Sequence, residues 1–225
     1  MKILAFDTAN NSLSVAVSEG EKVLAYAEEL RPSVQAETLV LMIEAVLTEA
    51  GLTYNDIDYL AVTSGPGSFT GIRIGLSVAK GILLATEIKG IAITNFEFAH
   101  FRARAQIKNY EKIYIFLNAY RGQVYSQIFS KTGEVTIPTL LNYEQAIELL
   151  KKEQGIIGCA GSGAELVYTK IRNIENIIIL PRFARVKSMH ICKYVASKLL
   201  QGRQLSNIIE PLYIRPADAK LPETR

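Results

Sequence analysis

Sulfur and imidazole are scarce in this chain. Two cysteines, Cys159 and Cys192, in 225 residues offer no disulfide framework and make a reducing, cytoplasmic setting the expectation. Two histidines, His100 and His190, lie far apart, and no cysteine or histidine pair has ligand spacing. A zinc-type site is therefore not expected, although carboxylates could still bind Mg²⁺. The same scarcity leaves little from which to build a Ser-His-Asp or Cys-His catalytic grouping. His100 reads as a satisfied surface or core residue. Long apolar runs are missing too: none reaches the roughly 18 residues of a membrane span. The longest, 72–85, is broken by Arg73 and Lys80. The opening Met-Lys-Ile-Leu-Ala-Phe-Asp reaches an acid at once and lacks a signal peptide's layout. A formal charge of +3 is too mild to argue for nucleic acid. What remains, with 49% apolar residues, is a chain able to bury a sizeable core as one large domain or two small ones, with no membrane partner expected.

The most distinctive stretch runs from Ser64 to Gly75, Ser-Gly-Pro-Gly-Ser-Phe-Thr-Gly-Ile-Arg-Ile-Gly. An apolar strand pattern leads into it and an apolar helical pattern leaves it. Gly65, Pro66 and Gly67 make a turn, and Ser68 and Thr70 are good N-cap residues. Amides at such a helix start favour an anion. Yet Gly71 is followed by Ile72 and Arg73 where a Walker loop needs Lys-Ser/Thr, and Thr70 stands where the dinucleotide fingerprint needs glycine. Simple architecture is the ordinary reading of such a turn, and a ligand cradle is the alternative.

Lys2 to Phe6 reads as a buried strand ending at Asp7-Thr8, followed by the turn residues Asn10-Asn11 and a returning strand through Leu13, Val15 and Val17. Val23 to Leu30 makes a third strand. A carboxylate and a hydroxyl at a strand end could hold a hydrated metal–phosphate group, but they commonly just satisfy turn amides. From Lys112 the plan repeats. Ile113 to Leu117 is apolar, Asn118-Ala-Tyr-Arg-Gly122 turns, and Val124 to Phe129 alternates back. The repetition implies a duplicated βββαβα unit and a two-lobed α/β protein, with mixed sheets flanked by helices. The lobes divide at 1–105 and 106–225, with the last segment, about 188–225, free to pack back on the first lobe. Asn118 takes the place of Asp7 and lacks its charge, so it is poorly suited to hold a metal or act as a base. A second Gly-rich strand-to-helix turn, 158–163, has neither lysine nor fingerprint spacing. Ile88 to Ile93, Ile156-Ile157 and Ile177 to Leu180 read as strands. Helices are expected from Thr94-Asn95 to about Ala105, over Asn142 to Glu153, and from a Ser188 cap to Leu200. Arg182, Arg185 and Lys187 form a basic cluster that reads as a solvated edge.

Two helices of the first half carry more apolar surface than one buried stripe needs. From Pro32-Ser33 to about Ala50, the residues Ala36, Leu39, Val40, Ile43, Val46, Leu47 and Ala50 share the sheet-facing side. Leu41 and Ala45 fall opposite, and Met42 flanks the stripe. In the helix after Thr70, Arg73, Ser77 and Lys80 occupy a narrow polar arc. Gly71, Gly75 and Ala79 recur every four residues beside Leu76, a strip that another helix could approach closely. These helices either lie sandwiched within their own lobe or meet a second subunit.

The segments Asp7-Thr8-Ala9, Gly65-Pro-Gly-Ser-Phe-Thr-Gly-Ile-Arg-Ile-Gly75, Asn118-Ala-Tyr-Arg-Gly-Gln-Val-Tyr125 and Pro211-Leu-Tyr-Ile-Arg215, in this order, resemble the TsaB family across essentially the whole chain. The resemblance implies an actin-like ATPase/sugar-kinase fold. It implies a non-catalytic subunit that pairs with and activates the TsaD transferase, which threonylcarbamoylates the adenosine next to the tRNA anticodon. It further implies the TsaE ATPase as a partner, tRNA met only indirectly, and a homodimer in isolation. Leu41, Met42, Ala45, Gly71, Arg73, Gly75, Leu76 and Ala79 become interface residues. Asp7, Thr8, Gly65, Gly67 and Ser68 become nucleotide-proximal, with no tightly bound cofactor and with ATP or ADP at the interface with partner subunits. TsaD's metal-binding His-x-x-x-His is absent from Asn95-Phe-Glu-Phe-Ala-His100, and Asn118-Ala-Tyr departs from the family's Asp-Ala-Arg. A stand-alone ATPase or small-molecule kinase of the same fold is the alternative. A peptidase finds no support in these residues.

Overall fold

The computed structural model describes residues 1–10, 12–170, 174–180 and 186–215. Its first lobe begins with β1 (Lys2–Asp7), β2 (Leu13–Glu19) and β3 (Lys22–Glu29), followed by α1 (Gln35–Glu49), β4 (Tyr59–Gly65), α2 (Phe69–Ala85), β5 (Lys89–Thr94) and α3 (Asn95–Arg104). The second lobe repeats the plan with β6 (Lys112–Tyr120), β7 (Gln123–Ser130), β8 (Thr139–Asn142), α4 (Tyr143–Lys151), β9 (Ile157–Ala160), α5 (Ala164–Tyr168), β10 (Ile177–Ile179) and α6 (Ser188–Leu200). The first sheet has the order β3-β2-β1-β4-β5 and the second β10-β9-β6-β7-β8. In each, the three opening strands pair antiparallel and the later two add in parallel. The repeat is thus one strand and one helix longer than the βββαβα unit read from the sequence.

Each sheet buries both faces, which is why β1 and β6 read as nearly unbroken apolar runs. In the first sheet, Leu4, Phe6, Val15, Leu60 and Val62 point towards α1 and α2. Ile3, Ala5, Ala16, Ala61 and Ile93 point the other way, against Phe98 of α3 and Ile191, Cys192 and Val195 of α6. In the second sheet, Tyr114, Phe116 and Val124 meet Ala146 and Leu150 of α4 and Ala164 and Val167 of α5. Its other face, with Ile113, Ile115 and Phe129, is covered by Phe96, Ala99 and Ala103 of α3 together with Leu212 and Ile214. The closing helices are thus shared between the lobes: α6, from the second half of the chain, completes the first lobe's core, and α3, from the first half, lies against the second sheet.

Several boundaries differ from the sequence reading. The first helix begins at Gln35 rather than Pro32-Ser33, because Ser33 sits at φ 65°, outside helical space. Ser188 is the first helical residue of α6 and Lys187 holds the cap position. β8 was not expected; it pairs with β7 through four residues only. β9 reaches through Cys159 and Ala160, which the reading had given to the Gly-rich turn. Thr94 does cap α3, in a reciprocal capping box with Glu97. No helix among the described residues is long and apolar enough to cross a membrane.

Candidate functional site

The parallel pairing of β1 with β4 brings the two N-terminal motifs to one sheet end. Asp7 is fully buried there, and both of its carboxylate oxygens accept hydrogen bonds. Oδ1 accepts the Thr63 hydroxyl at 2.5 Å and the Ala9 amide at 3.3 Å, and Oδ2 accepts Asn10 Nδ2 at 3.1 Å. Burial still outweighs these bonds and pushes the carboxyl up from 3.8 to about 6. Thr8 donates its hydroxyl to the Gly71 carbonyl at 2.7 Å, and the Ser68 amide donates to the Ala9 carbonyl at 2.7 Å. Ser68 caps α2 by accepting the Gly71 amide at 3.2 Å. Gly67 and Gly71 are glycine because the turn lies directly on the β1 exit: a methyl group on either would overlap the carbonyl oxygen of Ala9 or Thr8. Gly65, followed by a cis bond to Pro66, adopts φ 105° beside Ile72.

Asp7, Thr8, Gly65, Gly67 and Ser68 are therefore one corner, as the sequence grouped them, but a closed one. The residues as packed do not fit a metal–phosphate group: the Ser68 amide is turned inward, and Asp7 has no surface to offer. Among the described residues, no three His, Cys, Asp or Glu side chains group as metal ligands. The sequence reading missed Thr63, Asn10 and Asn95. Asn95 donates Nδ2 to the Pro66 carbonyl at 2.8 Å, bracing the turn from α3. Thr63 reads as one more β-branched strand residue until β4 is set beside β1.

The matching corner of the second lobe carries an amide, Asn118, where the first has Asp7. Asn118 Oδ1 accepts the Tyr120 amide at 2.8 Å, and the Asn118 amide donates to Ser162 Oγ at 3.0 Å. The two corners are joined by the segment following α6. The Leu212 amide donates to the Ser64 carbonyl at 2.8 Å, and Arg215 Nη2 donates to the Ala119 carbonyl and Gln123 Oε1, each at 2.8 Å. His100 is half-buried, its ring stacked on Phe129 at 4.1 Å. Its Nε2 finds no partner among the described residues, so it is packed but not satisfied as the sequence suggested. Of the basic cluster, Arg182 and Arg185 lie outside the described residues, and Lys187 pairs with Glu28 at 3.4 Å.

The interface residues divide into two groups. Leu41 is 69% exposed, Ala45 and Arg73 are exposed, and Met42 is half-buried. Val40, expected on the sheet side, is 48% exposed, and Ala36 is also exposed, so both extend the outward stripe of α1. Leu84 of α2 is 90% exposed. Gly71, Gly75, Leu76 and Ala79, by contrast, are buried within the lobe. The small-residue strip faces Thr8 and the β1 exit, where a methyl at Gly75 would overlap the Thr8 hydroxyl. At Gly71 and Gly75 it serves close packing of α2 on its own sheet.

Duplicated mixed sheets, helix-covered on both faces, with strand-end hairpin corners in both lobes, define the actin-like ATPase and sugar-kinase class of architecture. YeaZ from Pseudomonas aeruginosa superposes with a TM-score of 0.71 over 94% of this chain and 99% of its own, at 22% identity. The family model described as TsaD, tRNA N6-adenosine threonylcarbamoyltransferase, matches residues 34–174. The tRNA threonylcarbamoyladenosine biosynthesis protein TsaB of Haemophilus influenzae is 28% identical over 96% of this chain and 94% of its own length. The TsaB protein of Buchnera aphidicola subsp. Schizaphis graminum is 31% identical over 69% of this chain and 77% of its own. The chain belongs to the TsaB family.

Proposed function

We propose that this chain is a partner subunit in threonylcarbamoyladenosine modification of tRNA, pairing with and activating the TsaD transferase without itself performing the transfer. The observation that carries the reading is the outward face of α1 and α2, where Val40, Leu41, Ala45 and Leu84 stand uncovered. Large apolar side chains gathered on one face favour burial against another protein. The non-catalytic part is supported by the closed Asp7 corner, which offers no carboxylate oxygen to a metal or a nucleophile, and by Asn118 in the second lobe. For the same reason we place ATP or ADP at the interface with TsaD and the TsaE ATPase rather than in this chain alone. We also take self-pairing through the α1–α2 face as the state of the isolated chain, and tRNA as reached through the complex.

The test is reconstitution. The purified chain alone should transfer nothing to tRNA, and adding it to TsaD and TsaE should raise modification well above that of the two without it. Leu41→Glu should abolish both self-pairing in sedimentation and stimulation, because an unpaired carboxylate in an apolar interface is costly. Undiminished stimulation by Leu41→Glu would remove this face from the account. Titration of the chain alone with ATP and Mg²⁺ should give no saturable heat. Tight binding that vanishes in Asp7→Ala would favour a self-sufficient ATPase or kinase instead.

A further inference from the structure

At the start of α2, two side chains one helical turn apart and a third from 140 residues further along the sequence hold one another on the surface. Arg73 lays its guanidinium over the Phe69 ring at 3.7 Å and donates Nε to the Tyr213 hydroxyl at 2.8 Å. Phe69 and Tyr213 complete the set, with ring centroids 5.2 Å apart. None of them is core: Phe69 is 50% exposed, Tyr213 44%, and Arg73 is exposed as well. Among the described residues, nothing else bonds the two terminal nitrogens of Arg73, so their N–H groups remain available to an acceptor.

We infer that Phe69, Arg73 and Tyr213 form a preset guanidinium fork that receives a carboxylate of the partner subunit at the rim of the α1–α2 face. The inference rests on the subunit reading above and adds to it the chemistry of one contact. A free arginine loses much rotamer freedom on binding. Here that loss is already met within the protomer by a cation–π contact and a hydrogen bond, the preorganisation that makes a planar fork effective for paired acceptors. The position also fits a rim. Arg73, Ser77, Lys80 and Leu84 follow one another along the exposed side of α2, so the fork is continuous with the apolar face. A carboxylate is favoured over an RNA phosphate because α1 on the same side exposes Glu37, Glu44 and Glu49, acids that repel a polyanion but suit a protein surface of mixed charge. Tyr213 belongs to the segment that Arg215 anchors to the β6–β7 hairpin, so the fork is aimed from both lobes.

The experiment is calorimetric titration of the full-length chain, wild type and variants, into TsaD from the same organism, with tRNA binding measured in parallel. Arg73→Met should weaken binding roughly 10- to 100-fold, as expected for loss of a charge-assisted bidentate pair. Arg73→Lys, which keeps charge without the planar fork, should recover little of that loss, and Tyr213→Phe should lie between wild type and Arg73→Met. Unchanged melting temperatures would show that these exposed substitutions leave the fold intact. If Arg73→Met binds within twofold of wild type while Leu41→Glu does not bind, the fork is overturned and the subunit reading stands. A wild type that does not bind TsaD overturns both. Loss of tRNA binding in Arg73→Met with TsaD affinity unchanged assigns the fork to phosphate and overturns the carboxylate.

Discussion

Asp7 is the residue at which burial and hydrogen bonding contend most openly. A carboxyl held at about 6 in the folded chain and near 3.8 when unfolded binds its proton more tightly in the folded state. Stability from this group therefore falls as pH rises from about 4 to about 6. Asp7→Asn keeps an acceptor for Thr63 and Ala9 and removes the charge. It should raise the unfolding free energy at pH 7.5 by about 1–3 kcal/mol, with the gain shrinking to nothing near pH 4. Urea titrations of both proteins at pH 4, 6 and 7.5 check this, and a gain independent of pH contradicts it. The two histidines act in the opposite sense. Burial lowers His100 and His190 to about 4, so their contribution to stability grows as pH rises from about 4 towards 6.5. Comparison of wild type with Asp7→Asn isolates the carboxyl from that background.

At the scale of elements, α2 shows most plainly what sequence periodicity can and cannot assign. Glycine and alanine every fourth residue announce a close approach, and a close approach is found; the pattern does not say to what. Thr8 and the β1 exit take that place because β1 and β4 are parallel neighbours, a relation between strands whose partners, such as Ile3 and Tyr59, are far apart in the chain. The outward stripe of α1 was legible for Leu41 and Ala45, while Val40 and Ala36 fell on the wrong side of a boundary that a helix wheel draws too sharply. The Asp7–Thr8 exit and the Gly-Pro-Gly turn could each be found in one dimension. Their mutual closure could not, since it depends on Thr63 and Asn95 arriving from other strands and helices. The two kinds of glycine in α2 give a paired prediction. Gly71→Ala should destabilise the chain by several kcal/mol, about 2–4, because the obstruction is backbone. Gly81→Ala meets nothing within 4 Å and should stabilise the isolated chain by about 0.5–1 kcal/mol through helix propensity. Thermal melts of the two variants, moving in opposite directions, are the measure.

For the whole molecule, the duplication was readable from the recurrence of strand, polar residue, turn and strand, and the last segment, about 188–225, was read as free to pack back on the first lobe. The other half of the exchange of closing helices, α3 against the second sheet, was not readable, because an amphipathic helix does not record which sheet it covers. That exchange predicts that residues 1–105 do not fold alone. Without α6, the face of the first sheet bearing Ile3, Ala5 and Ala16 loses Ile191, Cys192, Tyr194, Val195 and Ala196 and keeps only the edge of α3 at Phe98 and Phe101 over it. The fragment should show no cooperative unfolding by circular dichroism and should bind a hydrophobic dye, whereas a sharp melt would refute the dependence. The same arrangement has a consequence on the ribosome. Translation delivers the first sheet before the second, yet the helix that seals its second face spans Ser188–Leu200 and emerges only after the strands of both sheets have been made. Until that helix emerges the nascent chain carries an unsealed greasy surface, which makes it a natural client for co-translational chaperones and sensitive to premature termination anywhere upstream of that helix.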